Sequence, residues 1–424
     1  MRLIFALAIY RLLLPLLFVA AFPGWVLKML RRGGFGTHLG ERAAIYRVPL
    51  EYEPCGTVHF HAVSVGEAML ALKLIREWRV ENPKQCFVLA TGTATGHAVA
   101  TSAKIAGLRV TYSPLDFQSM VRRYLDRFEP SEIVLVEGEV WPHLVLECQR
   151  RDIPVRLVNA RMSPRSARRF ERFAEWLSPI YSRLDAVAIQ EPEDAEIWRT
   201  LGLADHQIHL TGSLKFDPGS GTRPVRRPDF QELLEHFGEN RRIILAASTH
   251  AGEDAWIARA IRHADPTALA VIVPRHAERR GEVITDLERD DFEVVLRSSF
   301  AAPERPQDAC LVIDTTGELS DWTAHADVVV IGKSFLSTGG QNPCEAILAG
   351  KPVIFGPHME NFQPLASHLL ANHGALSATH PGELSHAIRT ALHPAQAAEL
   401  TRRASHALAR HDGATQRILT LIKL

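Results

Sequence analysis

The chain has 424 residues, 46% hydrophobic and 23% charged, which is too long for one ordinary core and fits two folded domains. Lysine plus arginine and aspartate plus glutamate balance at 48 each, so global charge argues against a nucleic-acid binder. Cys55, Cys86, Cys148, Cys310 and Cys344 are scattered and never form a C-x-x-C pair, and the 20 histidines include no H-E-x-x-H. Neither a disulfide framework nor a metal site is expected.

Residues 1–32 come first. Leu3 to Leu27 is apolar except for Arg11, with Lys28, Arg31 and Arg32 just behind. A bilayer span needs about 20 apolar residues, and this run suffices if Arg11 snorkels or the helix lies partly in the interface. A cleaved signal peptide is the alternative. The missing small-x-small cleavage site and the free cysteines downstream argue against it. We read an uncleaved membrane anchor, and the positive charge behind it predicts a cytoplasmic body.

From Thr57 onward, short β-branched runs alternate with amphipathic segments of helix length. Over 33–217 the runs are TVHFHAVS, CFVLATGT, VTYSPLD, EIVLVEGE, VRLVNARMS, AVAIQ and IHLTGS. Over 230–395 they are RIILAASTH, ALAVIVPRH, EVVLRSS, CLVIDTTG, DVVVIGKS and PVIFGPH. Runs such as IVLV and VVVI are apolar on both faces, as strands of a covered parallel sheet must be. Between the halves, 218–229 is rich in Pro, Gly and Arg and reads as a linker. The tail 396–424 is helical and free by pattern to pack on either domain, the first included. The predicted fold is α/β, with two doubly wound Rossmann-like domains facing a central cleft behind the anchor. That is the GT-B arrangement, although a periplasmic-type binding protein or an epimerase fits the pattern equally.

Polar motifs follow the predicted strands, where ligands of open α/β sheets bind. Ser64-Val65-Gly66-Glu67 opens a helix and spells a capping box, in which Glu67 reaches back to the Ser64 N–H. The same carboxylate at a helix start is also a candidate base. EGEVWP puts Glu137 and Glu139 at a strand end, and TGSLKFD puts Lys215 at the last strand of the first half. Each has surface charge as its alternative. RMSPRSARRFERF is a basic amphipathic stretch, read as a solvated helix face or as a partner for membrane phosphates. In the second half, Pro274 and Arg275 follow a strand, and the planar fork of Arg275 suits a phosphate. Thr316, Gly317 and Glu318 precede another helix. The loop after DVVVIG leads to Asn342, Pro343, Cys344 and Glu345, with Asn342 as cap, Pro343 in the first helical turn and Glu345 able to accept from ribose hydroxyls. No G-x-G-x-x-G follows the first strand and no P-loop occurs.

In order, HAVSVGE, EGEVWP, NARMS, GSLKFD, ASTHAGE, PRH, GEL and GGQNPCEAILAGKPVIFGPHMENF resemble the bacterial 3-deoxy-D-manno-octulosonic acid (Kdo) transferase family. The resemblance runs across essentially the whole chain, anchor included. It implies a GT-B fold and an inverting, metal-independent transfer of Kdo from CMP-Kdo to the lipid A precursor (lipid IVA), without cofactor, at the cytoplasmic face of the inner membrane. By resemblance Glu67 is the catalytic base, and Glu137 and Lys215 stabilise the transition state. Pro274, Arg275, Thr316, Gly317, Glu318, Asn342, Pro343, Cys344 and Glu345 bind CMP. The chain departs from the family at Gly138 (usually Thr), His143 (usually Asn), Lys333 (usually Gly), and Gln341 and Cys344 (usually His and Leu). Two rivals remain at this level: a UDP-sugar epimerase of the same fold, and a catalytically idle, membrane-anchored lipid-binding protein.

Overall fold

The structure, a computed structural model, describes residues 2–32, 38–47, 49–50, 53–138, 140–162, 164–217 and 224–423. Glu139 and residues 218–223 of the expected linker lie outside the described residues. The chain divides into two compact units, Met1–Gly219 with Gly413–Leu424, and Ser220–Asp412.

The sheet of the first unit holds β1 (Val58–Ala62), β2 (Phe87–Thr91), β3 (Leu108–Tyr112), β4 (Glu132–Val136), β5 (Val155–Ala160), β6 (Ala186–Ile189) and β7 (Ile208–Leu210). All are parallel, in the order 3-2-1-4-5-6-7. Every residue of β1, β2 and β4 is buried, because helices cover both faces. Side-chain alternation divides the core. Phe60, Phe87, Leu72 and Ile75 pack on one face with Ile418 and Leu419. Tyr124, Phe128, Leu144 and Trp198 pack on the other.

The second unit holds β8 (Ile243–Thr249), β9 (Leu269–Pro274), β10 (Glu293–Leu296), β11 (Ala309–Val312), β12 (Val328–Ile331), β13 (Val353–Phe355) and β14 (Leu376–Ser377). It too is parallel, in the order 10-11-9-8-12-13-14. The edge strand β14 has only two residues and no apolar run, so the sequence gives no signal for it. The strand order reverses between β1 and β4 in one unit and between β8 and β12 in the other.

The apolar N-terminal segment is one helix, Arg2–Arg32, and Leu3–Gly24 is long and apolar enough to cross a membrane. It lies against the first unit. Phe5 meets Trp176 at 5.4 Å between ring centroids, and Phe18 meets Phe117 at 5.8 Å. Arg11, the charge within the apolar run, is bonded to side chains of the first unit. It donates to Gln118 Oε1 at 3.1 Å and to His143 Nε2 at 3.4 Å, because it stands beside the face that packs on the body. The tail is split. Helix Pro394–Ala409 belongs to the second unit and helix Ala414–Ile422 to the first.

Candidate active site at the strand ends

In the first unit the strand order reverses where Glu67 follows β1 and Glu137 follows β4, the place where such sheets bind ligands. Ser64 is extended (φ −99°, ψ 170°) and caps the helix Val65–Glu81. Its hydroxyl accepts the Glu67 N–H at 3.3 Å and donates to Glu67 Oε1 at 2.7 Å. Glu67 Oε2 accepts from the Val63 N–H at 2.7 Å, one residue upstream of the Ser64 N–H that a capping box would use. These donors occupy two of the roughly four acceptor positions of a carboxylate. Glu67 keeps 8% exposure, so it caps the helix and still has acceptor capacity.

Glu137 stands at φ 66°, a left-handed conformation that residues with a Cβ rarely adopt. Backbone bonds hold it there: the Glu137 N–H donates to Val158 O at 2.9 Å, and the Arg161 N–H donates to Glu137 O at 3.2 Å. Burial, and after it the negative charge of Glu67, push the Glu137 carboxyl above the usual carboxylate range. Arg161, Lys215 and the Asn159 amide act in the opposite direction. The two acids and Lys215 therefore share one electrostatic environment. Gly138 is not demanded by sterics, since an added Cβ would meet only Arg161 O at 3.6 Å.

Asn159, almost wholly buried, connects the strand end to the lysine loop. It sits at φ 53° where the β5–β6 register shifts. Its amide lies 3.5 Å from Glu137 Oε1, and its Oδ1 accepts the Leu214 N–H at 2.9 Å. The 214–217 turn that carries Lys215 is gripped from two more sides. Lys73, on the helix that Glu67 begins, donates to Leu214 O at 2.9 Å and Asp217 O at 2.6 Å. The Asp217 carboxylate accepts from the Gly413 and Thr415 N–H groups at 3.1 and 2.6 Å, capping the last helix. Sequence reasoning missed Asn159, Lys73 and Asp217 as positioning groups.

His143, at one of the departures, is buried against Asp116. Its N–H donates to Asp116 Oδ2 at 2.9 Å, and its ring meets Asp116 O.

In the second unit, β8, β9, β11 and β12 are neighbours, and their carboxyl ends carry the expected nucleotide segments. Pro274 is buried at the end of β9, and Arg275 after it is exposed. Burial raises the Glu345 carboxyl while the charge of Arg275 lowers it, so those two residues are close enough to interact. Thr316 and Gly317 (φ 86°) are exposed after β11. Glu318 is engaged locally: its Oε2 accepts from Thr315 Oγ1 at 2.6 Å and from Trp322 Nε1 at 3.3 Å. Asn342 is exposed, and its Oδ1 accepts the Cys344 N–H at 3.0 Å. Pro343 and Cys344 are buried. The helix runs Cys344–Leu348, so Pro343 stands at its N-cap and not in its first turn.

The loop after β12 is shaped by backbone crowding. A Cβ at Gly332 would lie 2.6 Å from Ser248 O, and one at Gly340 (φ 67°) 2.5 Å from Met359 Sδ. Lys333 nevertheless adopts φ 55°. The buried Glu253 holds it: Oε2 accepts the Lys333 N–H at 2.6 Å and the His250 N–H at 3.0 Å, and Oε1 accepts the Phe335 N–H at 3.2 Å. Burial and the Lys333 charge lower the His250 imidazole. Among the described residues, no three His, Cys, Asp or Glu side chains converge as a metal site.

The family description "3-Deoxy-D-manno-octulosonic-acid transferase (kdotransferase)" matches residues 37–218. A 3-deoxy-D-manno-octulosonic acid transferase of Bordetella pertussis is 33% identical over 418 residues, covering 94% of this chain and 95% of its own. One of Haemophilus influenzae is 30% identical over 390 residues, covering 91% and 90%. Among solved structures, the Anabaena protein HepE in complex with UDP is similar in fold, with a TM-score of 0.54 at 15% identity. It covers 87% of this chain and 100% of that one.

Proposed function

The chain belongs to the 3-deoxy-D-manno-octulosonic acid (Kdo) transferase family, and on that premise we propose that it transfers Kdo from CMP-Kdo to a lipid A precursor, with inversion and without a metal. The first unit supplies the acid–base groups and the second the nucleotide-binding groups. The observation that carries the reading is the pair Glu67 and Glu137 flanking one reversal of strand order, with Lys215 acting on the same carboxyl.

Loss of CMP from the keto-sugar develops oxocarbenium character, as glycosidic cleavage does. The attacking lipid hydroxyl must lose a proton, and Glu67 has acceptor capacity left for it. Glu137 and Lys215 balance charge around the transferring sugar, which carries a carboxylate of its own. Charge that builds on the departing phosphate is met by Arg275 and by backbone N–H groups at the start of 344–348, with Thr316, Gly317, Asn342, Pro343, Cys344 and Glu345 completing the CMP contacts. Glu318 serves there through its helix start, since its carboxylate already bonds Thr315 and Trp322. Positive charge and N–H groups of this kind can do the work of a metal ion. The apolar helix keeps the enzyme at the inner membrane, where the acceptor lies.

The test is CMP release by the full-length protein, measured with donor, with acceptor, and with both. The reading predicts release in step with Kdo-lipid formation, only when both are present, and undiminished in excess chelator. Release from donor alone, turnover of UDP-sugars instead, or collapse in chelator with recovery on added magnesium would each contradict it.

A further inference from the structure

We propose that the N-terminal helix lies in the plane of the membrane leaflet, clasped to the folded body by Tyr10 and Arg11, and does not cross the bilayer. Its outer face and the arginine row of the helix Pro164–Arg172 then form one surface for anionic phospholipid. This rests on the membrane reading above and fixes its geometry.

Leu3, Leu7, Tyr10, Leu14 and Phe18 recur at three- and four-residue spacing and are the buried or half-buried stripe of the helix. Tyr10 Oη donates to Asp116 Oδ2 at 2.8 Å, and Arg11 reaches Gln118 and His143. Body contacts run from Phe5 to Phe18, about 20 Å of helix at 1.5 Å per residue, against a hydrocarbon core about 30 Å thick. A helix standing upright would carry Asp116, Gln118 and His143 into hydrocarbon beside it, or abandon them and leave Arg11 there without partners. Both are costly, and lying flat avoids both.

The other side of the helix is made for lipid. Ile4, Leu12, Leu16, Leu17 and Val19 are 60 to 74% exposed. The Phe5 ring meets Trp176, so the apolar face continues onto the body, where Trp176 and Phe173 are exposed. Next to them, Arg165, Arg168, Arg169 and Arg172 share one exposed helix face at spacings of three and four, while Ala167 and Phe170 of the same helix pack on the core. These four arginines outnumber the exposed Glu171 and Glu175 nearby. An apolar face bordered by cations suits acyl chains bordered by anionic headgroups.

The experiment uses Arg2→Cys in the full-length chain, treated with a membrane-impermeant maleimide in intact spheroplasts and after lysis. The exposed native Cys55 reports the side of the body. The proposal predicts a chain in the membrane fraction whose position 2 and Cys55 are both modified only after lysis. Modification of position 2 in intact spheroplasts, with Cys55 protected, means a spanning helix and overturns the proposal while leaving the membrane reading standing. A chain in the soluble fraction, or Cys55 modified in intact spheroplasts, overturns both. In a second arm, Arg168→Glu with Arg169→Glu should weaken binding to phosphatidylglycerol vesicles by about tenfold or more and leave phosphatidylcholine binding unchanged. Equal binding of the two proteins to phosphatidylglycerol removes the arginine row from the surface.

Discussion

Glu67 and Glu253 hold the same place in the two units. Each follows a glycine and stands in the first turn of the first helix after the strand beside the reversal of order, yet their carboxylates are bonded differently. Glu253 is fully buried and accepts three backbone N–H groups, from His250, Lys333 and Phe335. Glu67 accepts one backbone N–H and one hydroxyl, keeps 8% exposure where Glu253 has none, and helps to raise the Glu137 carboxyl. The chain contains its own reference for what a purely structural glutamate at that position looks like.

Removing the side chains should separate the two roles. Glu253→Ala leaves three N–H donors without their acceptor, at about 1–3 kcal/mol for each that stays buried, so a loss of about 3 kcal/mol or more is expected. Glu67→Ala removes a cap interaction and should cost about 1–2 kcal/mol. Urea unfolding of both variants measures the difference. Equal losses would mean that Glu67 is sealed into the fold as Glu253 is.

Lys333 bears a left-handed backbone that costs a residue with a Cβ about 1–2 kcal/mol, partly offset for glycine by its own entropy cost of about 0.5–1 kcal/mol. Lys333→Gly should therefore raise Tm slightly, by about 2 °C. The same change removes the charge that helps to hold His250 low, so the imidazole should titrate closer to its ordinary value. On the proposed function CMP affinity should fall, because a positive charge leaves the loop proposed to hold the nucleotide. Calorimetry and proton NMR read the three effects. A lower Tm with an unmoved His250 contradicts this account of the loop.

Folding raises the Glu137 carboxyl, so the folded state holds that proton more tightly than the unfolded chain. The stability this contributes is fully present below the ordinary carboxylate value, about 4.3, and is lost as pH rises through the raised value. Glu137→Gln has no such proton. Stability of the native protein relative to this variant should decline across the window just above pH 4.3 and then level off. Adding Glu67→Gln should narrow the window, because the second-largest cause of the shift has gone. A difference that is flat with pH contradicts the raised carboxyl.

Much of the fold was legible because buried parallel strands are written as short apolar runs. IVLV became β4 and VVVI became β12. The candidate site was legible as strand ends, since Glu67, Glu137 and Arg275 follow β1, β4 and β9. Long-range partners carry no such local signal. Lys73 reads as one more helical lysine, and its acceptors lie 141 and 144 residues away. Asp217 reads as the edge of a linker, and the helix it caps begins nearly 200 residues later. Arg11 is a defect in an apolar run until the fold brings Gln118 and His143 to it. The pattern Gly-Glu after a strand cannot by itself distinguish Glu67 from Glu253, because the difference lies in which N–H groups the tertiary structure aims at each.

The most direct test is Kdo transfer by Glu67→Gln in full-length, membrane-bound protein. Glutamine keeps an oxygen for one of the two donors to the side chain but cannot take a proton from the acceptor hydroxyl. Melting temperature and CMP affinity should stay close to those of the native protein, while turnover drops by the roughly 10²–10⁴-fold of a lost general base. Near-native turnover in a folded, CMP-binding variant would reduce Glu67 to a helix cap and contradict the account at its centre.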